Sequence, residues 1–440
     1  MNTNHLLIIF FVIASVSHCE ARCQSAFAAK FEVSTVSDEG MPKTIVRPGA
    51  LWNFGAGALQ TYRGWQYAAF WDASKQVTVA RRELPQGTWE CASLGGYQRT
   101  SNINRGSAGP KARGFGDGHE KVAMGISSDG VIHLAFDHHV STLHYRCSRP
   151  GLANKPKEFT WTEALFGAAE DNLGGPKLET VTYPSFVRDG DRLSLYLRLN
   201  VGSGSADSHL FEYHAGCWII NDPGSSKLID KHWSGGNGTV NAYPHTMVVH
   251  KGRRHLTWCW RDTPDARTCH DLCYAYSDDH GQIWKNSTGT EIAVRGSKFI
   301  SADSPGIAVL DIPPGSFYVN GGSMSVDDAG DIHVLMKGPS GRPMTAVRKA
   351  STGEWIRGEG SILGVLIARP EPRLVVAESG LYRQSSGKEG LTRISTPIED
   401  LCRDSRYVVD RHRWQHDRVV SVIGQNGTKV SVIDFATEDQ

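Results

Sequence analysis

The stretch GDGHEKVAMGISSDGVIHLAFDHHVSTLHYR, Gly116 to Arg146, holds two apolar runs on either side of Ser128-Asp129-Gly130. Turn chemistry ending in a glycine, which tolerates positive φ, predicts a β-hairpin here. With those three residues as the loop, Ser127 faces Val131, Val122 faces Phe136 and His119 faces His139. Two imidazoles at the open end of a hairpin add less to a core than leucines would, but near neutral pH they can move protons or hold an anion. The next two hairpins repeat the layout. In TYPSFVRDGDRLSLYLR an Asp189-Gly190 turn pairs Tyr183 with Tyr196 and leaves Arg198 as the diagonal neighbour of Tyr183. In YPHTMVVHKGRRHLTWCWR a loop of Lys251, Gly252 and Arg253 sets Tyr243 opposite Arg261.

A short strand phrase returns along the chain: WQYAAFWD at Trp65, VIHLAFD at Val131, RLSLYLR at Arg192, HLTWCWR at His255, DIHVLMK at Asp331, GLYRQ at Gly380 and KVSVIDF at Lys429. Most copies are followed by a second strand and a tryptophan, as in LCYAYSDDHGQIW. Strands and turns recurring at this spacing predict an all-β chain, a seven-bladed β-propeller with four-stranded antiparallel blades. Ser277 to Trp284 fits S-x-D-x-G-x-x-W, the Asp-box hairpin, in which the Asp caps the turn and the Trp packs between sheets. Its residues are assigned to structure. In a propeller, equivalent hairpin ends lie at one face of the disc, so consecutive blades deliver His119, His139, Tyr183, Arg198, Tyr243 and Arg261 to one mouth.

A net charge of +1 argues against nucleic-acid binding through bulk electrostatics. The apolar run in MNTNHLLIIFFVIASVSHCEA is too short to span a bilayer comfortably, and residues 1–22 read as a cleaved secretory signal. The mature chain, 23–440, is then a single propeller domain, expected to be extracellular, monomeric and free of the membrane. Sequons at Asn237, Asn286 and Asn426 fit a secreted glycoprotein, and the cysteines permit disulfides of undetermined connectivity.

With these residues in view, the chain resembles the BNR-type propeller polysaccharide lyases, the group of ulvan lyases and fungal rhamnose-glucuronate lyases acting on gum arabic. The resemblance is carried by DGH at Asp117, DGVIHLAFDHH at Asp129, LHYR at Leu143, TYPSF at Thr182, YLR ending at Arg198 and WRDTPDA at Trp260. It implies β-elimination at C4 of a uronic acid in an acidic polysaccharide, giving a 4,5-unsaturated uronate and requiring no cofactor. It places His119 and Tyr183 as the proton-transfer pair, His139 and Arg198 on the substrate carboxylate, and Tyr243 and Arg261 in substrate binding. Arg369 or Arg373 in IARPEPR adds a further cation. Several ulvan lyases hold a structural zinc through two Cys and two His, which implies Cys259, Cys269 and His270 as ligands here. The family's first zinc histidine is missing, and Glu120 stands beside the DGH histidine in place of an Asn-like neighbour.

The residue types suit that chemistry. The C5 proton of a uronate is barely acidic while the carboxylate is negative, so a cation that neutralises it stabilises the enolate-like transition state. Arg198 is permanently charged and its fork can hold two oxygens. His119 has a near-neutral pKa, and Tyr183 can act as acid, or as base beside a cation. Two rivals remain from the same pattern: a sialidase-like hydrolase, which leaves the histidine pair unexplained, and a propeller lectin for acidic glycans without turnover.

Overall fold

Strand Trp65–Trp71 is buried at every position, which a sheet achieves only when both of its faces are covered. The computed structural model supplies the cover by arranging seven antiparallel sheets around one axis, each packed between two neighbours. It describes residues 30–436 apart from 43, 46–56, 100–102, 107–108, 113–120, 200–201, 203, 221–222, 319–321, 340–341, 385–389, 396–397 and 399–406. The expected leader lies outside the described residues, and so does His119.

The innermost strands of blades 1 to 7 are Leu59–Tyr62, Val122–Ile126, Val181–Asp189, Asn241–His250, Gly322–Val326, Val365–Ile367 and Val408–Asp410. Contacts between these strands run from blade 7 through blade 1 and on to blade 6 around the channel. Four sheets have four strands, and blades 3 and 4 carry six each. Among the described residues blade 2 has three, with a separate two-stranded ribbon at Ile103–Gly106 and Gly109–Ala112. The ring is closed by Lys30–Ser37, which pairs with Lys429–Ala436 as the outermost strand of blade 7. Five copies of the repeated phrase are second strands, but GLYRQ and KVSVIDF are third strands. The phrase marks any strand covered on both faces, a condition that second and third strands share.

The Asp box forms as expected. The Asp279 carboxylate accepts from the Ser277 hydroxyl at 2.7 Å and from the Gln282 and Ile283 amides at 3.1 and 2.9 Å. Trp284 is fully buried among Tyr196 and Leu210 of blade 3 and Trp258 of its own blade, so the motif wedges two blades together. Asp279→Ala removes one acceptor from three donors and is expected to cost about 2 kcal/mol. Urea unfolding measures it, and a loss below about 0.5 kcal/mol would mean that the turn holds without its cap.

Of the sequons, Asn237 is exposed, whereas Asn286 is buried: its Nδ2 donates to Pro305 O at 2.8 Å and its Oδ1 accepts from the Thr288 and Thr290 amides. Asn286 is a turn cap with no room for a glycan.

Candidate active site

Blades 3 and 4 each break their inner ladder at a Tyr-Pro pair. Thr182 pairs with Arg198 and Ser185 with Tyr196, so Tyr183 and Pro184 oppose Leu197 alone. In blade 4 Pro244 pairs with Trp258 and Met247 with Leu256, leaving His245 and Thr246 opposite Thr257. Proline has no N–H to donate, and both ladders answer with a one-residue bulge. The turns also differ from expectation: Asp189 pairs with Arg192, a two-residue loop displaced by one position, and His250 pairs with Arg253, a loop one residue shorter. Tyr183 is therefore not paired with Tyr196, and Tyr243 pairs with Cys259 while Arg261 pairs with Asn241.

The side chains meet nonetheless. The Arg198 guanidinium lies 4.7 Å from the centroid of the Tyr183 ring and 5.1 Å from that of Tyr243, and the two rings meet edge to face at 6.2 Å. Arg261 stacks on Tyr243 at 5.1 Å and donates to its hydroxyl at 3.2 Å. Arg198 is only 3% exposed, and its Nε and Nη1 have no hydrogen-bond partner among the described residues. Burial works against its charge, but the phenols of Tyr243 and Tyr183 outweigh this and hold its pKa above the ordinary value. A fixed cation between two phenols stabilises a phenolate.

His139 reaches this cluster by a route that the hairpin reading missed. The ladder of blade 2 runs as expected, Val122 against Phe136 to Ile126 against Ile132, with no further pair among the described residues. Asp137, at φ 62°, turns the chain out of the blade, and His139–Ser141 becomes an extra strand on the inner edge of blade 3, with His139 opposite Thr182. His139 thus has a partner in the next blade, while its expected partner His119 lies outside the described residues. Thr182 is the cross-strand neighbour of His139 on one side and of Arg198 on the other, so the half-buried His139 and Arg198 stand on the same sheet face with their strands two ladder spacings, about 10 Å, apart. Non-glycine residues in the left-handed region gather here: Asp137, Val140, Thr180 and Tyr183. Such residues cost about 1–3 kcal/mol each and concentrate at functional sites. His138 and His133 are core residues: the His138 Nε2 accepts from the His144 amide at 2.9 Å, and His133 bonds the Tyr145 and Ser127 hydroxyls.

Sequence reasoning missed His245. Its Nδ1 bonds the Thr257 hydroxyl at 3.0 Å, and its Nε2 is buried without a partner. Together with Tyr183, Tyr196 and Thr246 it lines a cavity of about 10 Å³ into which the Tyr196 hydroxyl and Thr246 Oγ1 also bring unpartnered atoms. That is room for one water, with three polar partners. The sequence signal was available, since a proline within a strand marks a bulge that re-aims the residues after it.

Burial lowers the pKa of His245 to about 3, and does the same for His133 and His255. Below the ordinary histidine value of about 6.5 the unfolded chain takes up protons that the folded one refuses, so stability falls as pH drops from there toward 3. At pH 5 each imidazole costs up to about 2 kcal/mol. Thermal melts should drop between pH 7 and 5, with a smaller drop in His245→Gln; equal melting at both values would contradict neutral burial.

The other expected positions lie elsewhere. Arg369 donates to Val249 O at 2.7 Å, about 20 Å along the strand from Tyr243, and Arg373 bonds His333 and Gln384. Neither joins Arg198. His270 has both ring nitrogens on carboxylates, Nδ1 to Asp271 at 3.0 Å and Nε2 to Asp262 at 2.9 Å. Burial opposes its charge, but the two carboxylates raise its pKa. A ring held this way fits an imidazolium and offers no lone pair to zinc, although Cys259 and Cys269 lie in one cluster beside it. Asp327, Asp331 and His333 also converge, but Lys349 sits 2.8 Å from Asp331 and Arg373 on His333, so the group is already neutralised.

Comparison with known proteins agrees with this architecture. A structure described as a polysaccharide lyase of a new family, an ulvan lyase, superposes with a TM-score of 0.63 at 13% identity, covering 90% of this chain and 94% of that one. The same values hold for a structure described as that lyase bound to glucuronic acid linked 1-4 to 3-sulfated rhamnose. A protein of unknown function from Dyadobacter fermentans aligns at a TM-score of 0.43 and 11% identity over 92% of this chain and 99% of that one. No curated protein matches. The model of the BNR repeat-containing family matches residues 65–359, about two thirds of the sequence. The chain therefore belongs to the BNR repeat-containing family.

Proposed function

We propose that this protein is a secreted polysaccharide lyase that cleaves beside a uronic acid, at a rhamnose-glucuronate linkage, by β-elimination. The observation that carries the reading is the Arg198 guanidinium held between the Tyr183 and Tyr243 rings, with His139 on the same sheet face. The shared fold with a lyase solved on a glucuronate-rhamnose glycan supports it.

In this mechanism Tyr183 is the base. Arg198 lies against its ring, so the cation's main work is to stabilise the phenolate, and the half-buried His139 donates to the substrate carboxylate. The phenolate takes the C5 proton, the C–H electron pair forms the C4=C5 bond, and the C4–O bond breaks. The departing oxygen takes a proton from His119, a role that rests on sequence because that residue lies outside the described set. Arg261 fixes the Tyr243 hydroxyl beside the reacting ring. His245 and the single-water cavity behind Tyr183 keep that side of the phenol polar.

The test is to incubate the protein with ulvan, gum arabic and a sialoside and to follow the ultraviolet absorbance of a new C4=C5 bond. A lyase makes that band grow on a uronate-containing polymer. Reducing sugar without the band indicates a hydrolase, and binding without either product indicates a lectin; both outcomes remove the proposal.

A further inference from the structure

The central channel encloses about 330 Å³, and Ser185, Thr246 and Met247 of its wall also line the small cavity beside Tyr183. Its wall carries Arg188, Arg369 and Arg411, with His412 and His416 beside them. Arg411 donates to Met324 O at 3.0 Å and to the Ser323 hydroxyl at 3.1 Å, and Arg369 donates to Val249 O. Arg188 stacks on the Tyr62 ring at 5.0 Å and donates no hydrogen bond among the described residues. All three are partly exposed to the channel.

What distinguishes this group is the lack of a counter-charge. Among the described residues none of the three makes an ion pair with a carboxylate. Asp410 stands near Arg188 and His412, but its oxygens accept from the Thr61 hydroxyl at 2.6 Å, Gln66 Nε2 at 3.1 Å and the amides of His412 and Arg413. Asp328 is near Arg369 and is exposed. Burial draws the pKa of each arginine below its ordinary value, that of Arg411 to about 10, so all three remain charged at neutral pH. Cations that face one water-filled space repel each other, and an anion between them removes that cost. Arg188 also borders a second cavity with Tyr62, Arg63, Ser128, Gly190, His416 and Asp417, whose carboxylate lies 3.6 Å from the Arg413 Nε. That opening is at the hairpin-turn end of the inner strands, the end away from Tyr183.

We propose that the central channel is a binding site for a tetrahedral oxyanion, taken up from the turn face: free sulfate or phosphate, or the sulfate ester of a sugar. The volume admits any of these, since small-molecule sites begin at about 300 Å³. Arginine is the residue that matches such an anion, with planar charge-assisted donors. The site is independent of the lyase reading.

Calorimetric titration and thermal melting with sodium sulfate, sodium phosphate and glucose 6-sulfate, each against sodium chloride of equal ionic strength, test it. The wild-type protein is expected to show saturable binding and a melting temperature that climbs with anion concentration. Arg188→Gln and Arg411→Gln should each weaken binding about tenfold or more, the loss of one charge-assisted contact. Binding of the sugar ester alone assigns the site to a glycan-borne sulfate, and binding of the inorganic ions assigns it to free anion. Sulfate also stabilises proteins by exclusion from their surface, without any site. Equal melting shifts in wild type and Arg188→Gln with no saturable heat would therefore overturn the proposal. Arg188→Gln keeps the test decisive should Arg411→Gln fail to fold, because among the described residues Arg188 makes no hydrogen bond or ion pair and only stacks on Tyr62. Elimination activity is expected to survive in Arg188→Gln, which separates this site from the one at Tyr183.

Discussion

Tyr183→Phe is expected to lower kcat for elimination by about 10²- to 10⁴-fold, the usual contribution of a general base, with KM changed far less. The substitution removes one oxygen and keeps the ring that covers Arg198 and meets Tyr243 edge to face, so the aromatic packing persists. Unfolding free energy should stay within about 1 kcal/mol of wild type. Single-turnover growth of the unsaturated-uronate band measures the chemical step, and urea unfolding checks the fold. Undiminished turnover in a folded Tyr183→Phe protein would take proton transfer away from this residue and leave the Arg198 and Tyr243 stack as a structural feature only.

Arg254→Met is expected to be the most damaging single change to stability. Arg254 is fully buried and bridges two blades: its Nε lies 2.8 Å from Asp189 at the end of the inner strand of blade 3, and its Nη1 2.8 Å from Glu212 of the same blade. Arg295 and His280 add contacts to Glu212 and Asp189 at 3.0 and 2.8 Å. Removing the central cation leaves two buried carboxylates short of charge, and breaking a buried pair this way costs about 3–5 kcal/mol. Denaturant unfolding of the single variant tests it, and a loss under about 1 kcal/mol would mean that Arg295 and His280 suffice. Adding Glu212→Gln to Arg254→Met should recover part of the loss, because the uncompensated charge is what costs energy.

The hairpin around Ser128-Asp129-Gly130 was readable because its turn is short and its ladder has no proline, so counting outward from the loop was sufficient. The same counting failed in blades 3 and 4. There the turns are one residue tighter or displaced, and the Tyr-Pro pairs insert an extra residue before the strand ends. Even so, Tyr183 reached Arg198 and Tyr243 reached Arg261, since a long side chain spans the error that a bulge introduces. His245 went unseen because it looked like one more core position in an apolar run. Only the bulge turns its Nε2 into the cavity beside Tyr183.

The sequence alone determined the ring of blades, its Asp box and the residue types gathered at the starts of the inner strands. Those follow from local periodicity and turn chemistry, which neighbouring residues encode. Only the tertiary structure decided that His139 leaves its own hairpin to edge the next blade, that Arg198 is sealed between two phenols, and that Arg188, Arg369 and Arg411 share one channel. These depend on closure of the ring by Lys30–Ser37 and Lys429–Ala436, a pairing of the two ends of the chain that no local pattern can express.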